Sequence, residues 1–267
     1  VRDNRQSGVI ARVLSIAGSD SGGGAGIEAD IKTISALGGY ACTAITAVTA
    51  QNTLGVFSVQ AMPAAFVKLS IETVIGDIGV DAVKLGMLAN AGIIEAVAGA
   101  LPRDVPIVLD PVMLATSGAV LLADDAVAAL VKLLMPLATI VTPNLPEAAK
   151  LTGLALNNED DGIAAGRALL AMGAKAALIK GGHGAGDMLV DTLVCAGGAE
   201  RFPHPRIHTK HTHGTGCTLA SAIATGLAQG MTLMDAILRA ESYLQKAIAA
   251  APGFGAGHGP VWHGVKI

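Results

Sequence analysis

The chain alternates between short, fully apolar runs and longer segments whose apolar residues recur at helical spacing. Residues 12–17 form the first apolar run and predict a strand, and Ile27, Ile31, Ile34 and Leu37 then recur as on one face of a helix. Residues 40–48 are β-branched and apolar, and 56–60 form another short run, so two neighbouring strands are expected, leading to an antiparallel flap or edge contact. Pro63 opens a helix whose apolar positions include Phe66, Leu69 and Val74, since proline suits a first helical turn. The alternation continues with strands at 82–85, 107–109, 139–142 and 176–180, and helices at 91–101, 124–134 and 163–172, with another helix starting near Glu147. Residues 188–195 and 200–202 read as antiparallel strands near an edge. A glycine turn at 214–216 leads into a helix, and a last helix carries Leu233, Ile237, Leu244 and Ile248.

Strands without a polar face are covered on both sides, and helices between them supply the cover. The pattern predicts an α/β fold: a three-layer α/β/α domain with a mainly parallel central sheet and a small antiparallel edge or flap. A polar lead-in occupies 1–11 and a single domain 12–267, with no composition break and no internal repeat.

Composition narrows the functional classes. Hydrophobic residues make up 52% of the 267 positions and charged residues 15%, enough apolar material for a large core. Aromatics are 3%, so a base-stacking surface is not expected. A formal charge of −3 with no basic run argues against nucleic-acid binding. No apolar run is long enough to span a membrane, and no signal-peptide pattern opens the chain. Three widely separated cysteines, Cys42, Cys195 and Cys217, suit a reducing cytoplasm better than a disulfide framework.

In folds of this kind ligands bind beyond the carboxyl ends of the strands. The polar and glycine-rich segments fall there: 18–26, Gln51-Asn52, Gly86-Met87, Asp110, 144–147, 180–184 and 214–217. That clustering points to one active-site crevice. Thr212-His213-Gly214-Thr215-Gly216-Cys217 opens a helix N-terminus, where free N–H groups and the helix dipole can hold a phosphate. It is neither a Walker A loop nor a dinucleotide fingerprint. Lys180 could neutralise a phosphate, and Glu147, at a helix start, could hold a divalent ion. Asp30 lies close to the apolar face of its helix, where a carboxylate is costly unless paired or functional. His204, His208, His211 and His213 with Cys217 fit no zinc spacing, so a metal cluster is not expected. Ser/His/Asp hydrolase chemistry lacks its nucleophile elbow.

Taken together, Ala17-Gly18-Ser19-Asp20, the glycines of 22–26, Asp30, Gln51-Asn52-Thr53, Lys84-Leu85-Gly86-Met87, Asp110-Pro111-Val112-Met113, Thr142-Pro143-Asn144, Glu147-Ala148, Lys180-Gly181-Gly182-His183 and the 212–217 turn resemble the hydroxymethylpyrimidine and phosphomethylpyrimidine kinases of thiamine biosynthesis, within the ribokinase-like superfamily. The match runs from about Arg12 to 257–261.

The resemblance implies phosphorylation of 4-amino-5-hydroxymethyl-2-methylpyrimidine and then of its monophosphate, with ATP and Mg²⁺ and an optional monovalent cation. It implies that Gln51 reads the aminopyrimidine edge, that Gly18, Asp20, Met87 and Val112 line the substrate pocket, and that Asp30 lies near the reacting hydroxymethyl group. Lys180, Asn144 and Thr215 would serve the ATP phosphates, and Glu147 and Asp110 the magnesium. Gly214, Thr215, Gly216 and Cys217 would form the anion hole, with Cys217, whose thiol a helix terminus would make more acidic, as the candidate base. A cytoplasmic homodimer, in contact through the 40–60 region, is also implied. The competing readings are a pyridoxal kinase of the cysteine-containing subgroup and a non-catalytic ligand-binding domain on the same fold.

Overall fold

The computed structural model describes residues 10–114, 118, 121–156, 159–182 and 186–266. Among the described residues nine strands form one sheet: β1 (Arg12–Asp20), β2 (Tyr40–Asn52), β3 (Gly55–Ala61), β4 (Ala82–Leu85), β5 (Ile107–Leu109), β6 (Ile140–Val141), β7 (Ala176–Ile179), β8 (Met188–Cys195) and β9 (Gly198–Pro205), in the order β3-β2-β1-β4-β5-β6-β7-β8-β9. The six strands from β2 to β7 across the centre run parallel, and the antiparallel strands β3 at one edge and β8 and β9 at the other complete it.

The helices are α1 (Gly26–Ala36), α2 (Ala64–Asp77), α3 (Ala91–Ala100), α4 (Asp124–Leu133), α5 (Leu145–Thr152), α6 (Glu159–Ala171), α7 (Thr215–Ala228) and α8 (Leu233–Ala249). Strand alternation divides the core into two layers. Leu14, Ile16, Val83, Leu85, Ile107 and Leu109 face the layer of α2 to α6. Val13, Ala82, Val108 and Ile140 face the layer of α1, α7 and α8. The expected three-layer architecture, with a mainly parallel central sheet, is therefore present.

Two sequence expectations change. In α2 the buried apolar residues are Val67 and Ile71, while Phe66 and Leu69 are exposed at 52% and 57%; a helix rich in apolar residues all round does not reveal its inner face by pattern alone. The packing also takes in residue 11. Ala11 is buried, and its carbonyl accepts the Tyr40 N–H at 2.8 Å. Residues 1–9 of the lead-in lie outside the described residues.

The connection after β1 leads to β2 on one side, and the chain later returns to place β4 on the other. This reversal opens a crevice at the carboxyl ends of β1 and β4, the place where open α/β sheets bind ligands.

Candidate active site

The carboxyl ends of the parallel strands open into one cavity of about 650 Å³. It brings together Gly18, Asp20, Gln51, Met87, Asp110, Val112, Asn144, Glu147, Lys180 and the turn 214–217. These residues come from seven separate chain segments, and all were singled out in the sequence. Among the described residues Asp30 is the one candidate that does not line the cavity. His183 of the lysine-glycine motif lies outside the described residues.

The phosphate-ready end is built by the 212–217 turn. Gly214 is the N-cap of α7 with a φ of 87°, and no side chain caps the helix. A Cβ on Gly214 would lie 1.8 Å from the Gly24 carbonyl oxygen, so both its conformation and its neighbour demand glycine. The first turn of α7 therefore presents backbone N–H groups to the cavity that Thr215, Gly216 and Cys217 line. A Cβ on Gly216 would sit 3.2 Å from Lys180 Nζ and 3.5 Å from Asp110 Oδ2, which places that ion pair directly beside the turn.

Lys180 donates to Asp110 Oδ1 at 3.1 Å, and Thr142 donates to the same oxygen at 3.3 Å. Burial alone would depress the Lys180 ammonium; the Asp110 and Glu147 carboxylates outweigh it and hold its pKa above the ordinary lysine value. Asn144 and Glu147 form a capping box at the start of α5: Asn144 Oδ1 accepts from the Glu147 N–H at 2.9 Å, and Glu147 Oε2 accepts from the Asn144 N–H at 2.8 Å. Burial pushes the Glu147 carboxyl up to about 7 against the pull of Lys180, with Asp110 adding to the rise. The ligand-free site thus holds a lysine between two carboxylates, one of them poised to lose its proton near neutral pH.

The other end is a small, shaped pocket. A Cβ on Gly18 would lie 2.9 Å from Met87 Sδ, so the end of β1 and the segment after β4 touch. Thr46 donates to the Met87 carbonyl at 2.6 Å and fixes that segment. Gln51 is anchored through its backbone, which accepts from Ser21 Oγ at 2.8 Å and donates to it at 2.9 Å, and its residue borders the cavity.

Two candidates have surroundings that the sequence does not show. Asp30 is fully buried under the cavity floor, where it accepts from Ser15 at 2.6 Å, Ser221 at 2.7 Å and Lys84 at 2.9 Å through both oxygens. It therefore does not reach the reacting group. The cause is strand alternation. Ser15 and Lys84 are register partners on β1 and β4 and share the face covered by α1 and α7. Cys217 does border the cavity, but burial pushes its thiol up to about 11, although Lys84 and the Gly26 N–H favour the thiolate. Burial here works against the acidifying effect expected of a helix terminus and favours the thiol over the thiolate.

Lys84 belongs to one of the motifs but was given no role, although a lysine inside the otherwise apolar 82–85 run was the available signal. His213 was also passed over as one histidine among several. Its Nε2 lies 2.8 Å from Asp20 Oδ2. His204 instead faces Asp191 at 3.6 Å and His208 faces Asp187 at 3.0 Å. These three histidines have separate partners, the buried His211 Nδ1 has no hydrogen-bond partner, and among the described residues no group of His, Cys, Asp and Glu forms a metal cluster.

A pocket for a small acceptor and a helix terminus ready for phosphate, meeting at a half-buried lysine, make this a small-molecule phosphotransferase in class. The sequence model for phosphomethylpyrimidine kinase matches residues 20–262. A hydroxymethylpyrimidine/phosphomethylpyrimidine kinase of Rhizobium meliloti is 50% identical over 259 residues, covering 96% of this chain and 97% of the relative. A thiamine biosynthesis bifunctional protein of Geobacter sulfurreducens is 51% identical, and this chain spans 52% of its length. Among solved structures, a phosphomethylpyrimidine kinase from Clostridium difficile has a TM-score of 0.79 at 42% identity, covering 89% of this chain and 99% of that one. An ADP complex of Bacillus subtilis pyridoxal kinase has a TM-score of 0.88 at 36% identity, covering 96% and 98%. The chain belongs to the phosphomethylpyrimidine kinase family.

Proposed function

We propose that this kinase transfers the γ-phosphoryl group of ATP to the hydroxymethyl group of 4-amino-5-hydroxymethyl-2-methylpyrimidine, and then phosphorylates the monophosphate to the diphosphate. The observation that carries the reading is the meeting, in one cavity, of the Gly18–Gln51–Met87–Val112 pocket with the α7 N-terminus and Lys180. Gln51 offers an amide with donor and acceptor to an aminopyrimidine edge. The N–H groups of the 214–217 turn receive the transferring phosphoryl group, Lys180 offsets its charge, and Thr215 and Asn144 lie beside the nucleotide phosphates.

The donor set fits magnesium. Asp110 and Glu147 are two carboxylates on one cavity wall, and a magnesium ion is held by one or two carboxylates together with substrate phosphates rather than by an all-protein cage. Asp110 and Glu147 would hold it, and it would supply neutralisation of phosphate charge. A monovalent cation would act in the same way on the same phosphates. Cys217 lies beside the place assigned to the acceptor hydroxyl; as a base it would have to lose its own proton first, against the burial that pushes its thiol up to about 11.

The three cysteines are free and far apart, which suits the cytoplasm; among the described residues no helix is long and apolar enough to cross a membrane. A homodimer is supported by the edge pair β2–β3, where Tyr40, Val48, Leu54, Phe57 and Val59 are exposed by 43% or more.

The test is a substrate panel: the pyrimidine, its monophosphate and pyridoxal, with ADP release and ³¹P NMR of the products, with and without a chelator. Mono- and diphosphate formation from the pyrimidine, abolished by chelation, is expected. Preference for pyridoxal would move the assignment to the pyridoxal kinases, which the likeness to the Bacillus subtilis enzyme makes the natural second reading. Full activity in excess chelator would remove the role given to Asp110 and Glu147.

A further inference from the structure

Asp20 was expected to touch substrate, yet the structure commits its carboxylate to the protein. It is the last residue of β1 and 1% exposed. Oδ1 accepts from the Gly22 N–H at 2.7 Å; Oδ2 accepts from the N–H groups of Gly24 at 2.9 Å and Ala25 at 2.8 Å. The fourth partner is His213 Nε2 at 2.8 Å. A carboxylate held low by its hydrogen bonds only accepts, so His213 Nε2 carries the proton and donates it.

Three N–H groups from one glycine loop and one ring from a turn far along the chain thus converge on a single buried group. A further contact joins the same segments: Gly24 presses its carbonyl against Gly214, with no room for a Cβ. His213 is itself fixed from behind, since its N–H donates to the Gly259 carbonyl at 3.1 Å.

The glycine loop adjoins the acceptor pocket, and His213 immediately precedes the helix terminus that receives the phosphoryl group. We propose that His213 is a positioning residue: its bond to Asp20 latches the glycine loop onto the anion-hole turn and so sets the separation between acceptor hydroxyl and phosphoryl group. The proposal rests on the kinase reading for its catalytic consequence, though not for the latch itself. In-line transfer is sensitive to spacing, because an error on the order of 1 Å can cost roughly 10² in rate.

His213→Leu removes the donor, and His213→Gln keeps an N–H at similar reach. Hydrogen–deuterium exchange of the ligand-free protein is read first. His213→Leu is expected to speed exchange in segments 20–26 and 212–217 while the central strands keep their protection; His213→Gln is expected to stay near wild type. In steady-state kinetics His213→Leu should lower kcat by about 10- to 100-fold with KM for ATP within roughly twofold, and His213→Gln should restore most of the loss. If His213→Leu does not fold, His213→Ala, which also lacks the donor, is measured in its place, with the same expectations. Unchanged exchange in both segments, or equal loss of kcat in the leucine and glutamine variants, overturns the latch. If exchange responds as expected but the wild-type protein phosphorylates no acceptor on the panel, the latch stands and the kinase reading fails.

Discussion

Lys84→Met would leave the Asp30 carboxylate fully enclosed without its counter-charge. Both side chains are wholly buried, with Nζ 2.9 Å from each oxygen, and Ser15 and Ser221 complete the cluster. Removing one member of such a pair costs about 3–5 kcal/mol, because the survivor keeps its desolvation penalty. Methionine nearly conserves the lysine stem, so the cavity contribution is small. Asp30→Asn leaves the ammonium instead and is expected to cost a similar amount. The double variant Asp30→Asn/Lys84→Met carries no buried charge, and the asparagine carbonyl can still accept from the two serines. Its cost should stay under about 2 kcal/mol, well below the sum of the single changes. For a chain of this size roughly 3–5 kcal/mol corresponds to a fall in Tm on the order of 10 °C. Urea unfolding followed by circular dichroism, with midpoint and slope for all four proteins, measures the coupling directly. Additive single losses, with coupling below about 0.5 kcal/mol, would refute the claim that Lys84 and Asp30 act as one charge-neutral unit beneath the site.

Glu147→Gln should stabilise the ligand-free protein in a pH-dependent way. Burial raises the folded carboxyl from 4.5 to about 7, so wild type loses stability as pH rises through that window, and the gain of the variant should grow from near zero at about pH 4 to about 2–3 kcal/mol at about pH 8; a gain independent of pH in thermal melts would contradict this. Gln51→Leu should lower kcat/KM for the pyrimidine about tenfold or more, with ATP binding unchanged, because the ring's polar edge would be buried unpaired at about 1–3 kcal/mol; unaltered pyrimidine kinetics would remove Gln51 from recognition. With the Cys217 thiol near 11, a thiolate base predicts that kcat climbs almost tenfold per pH unit above the Glu147 titration, and that Cys217→Ala loses about 10²-fold and the slope with it; near-normal kcat in Cys217→Ala would leave the turn's N–H groups to carry the reaction. Phe57→Arg, at a side chain 69% exposed on the β3 edge, should convert a dimer to monomer in light scattering behind size exclusion, and an unchanged mass would place the interface elsewhere.

The order of strands and helices, and the side of the sheet that carries chemistry, were legible from the chain alone. Apolar runs such as 82–85 and 107–109 are strands with the limits their composition suggests. Polar punctuation at their carboxyl ends falls on the crevice because a parallel sheet puts all those ends on one side. The glycine turn at 214–216 was equally readable, since a helix start without a side-chain cap is a local property.

What the chain alone could not decide is which polar groups spend themselves on one another. Asp30 and Lys84 are 54 positions apart, and Asp20 and His213 are 193 apart. Each pair exists because sheet register and helix packing bring those side chains to one buried point. The same is true of the Cys217 thiol. A helix N-terminus makes a thiol more acidic, and only the packed surroundings show that burial reverses the sign. Backbone propensity and patterning act within a few residues and can be read in order; desolvation and pairing depend on every neighbour in space, and those neighbours are chosen by the fold.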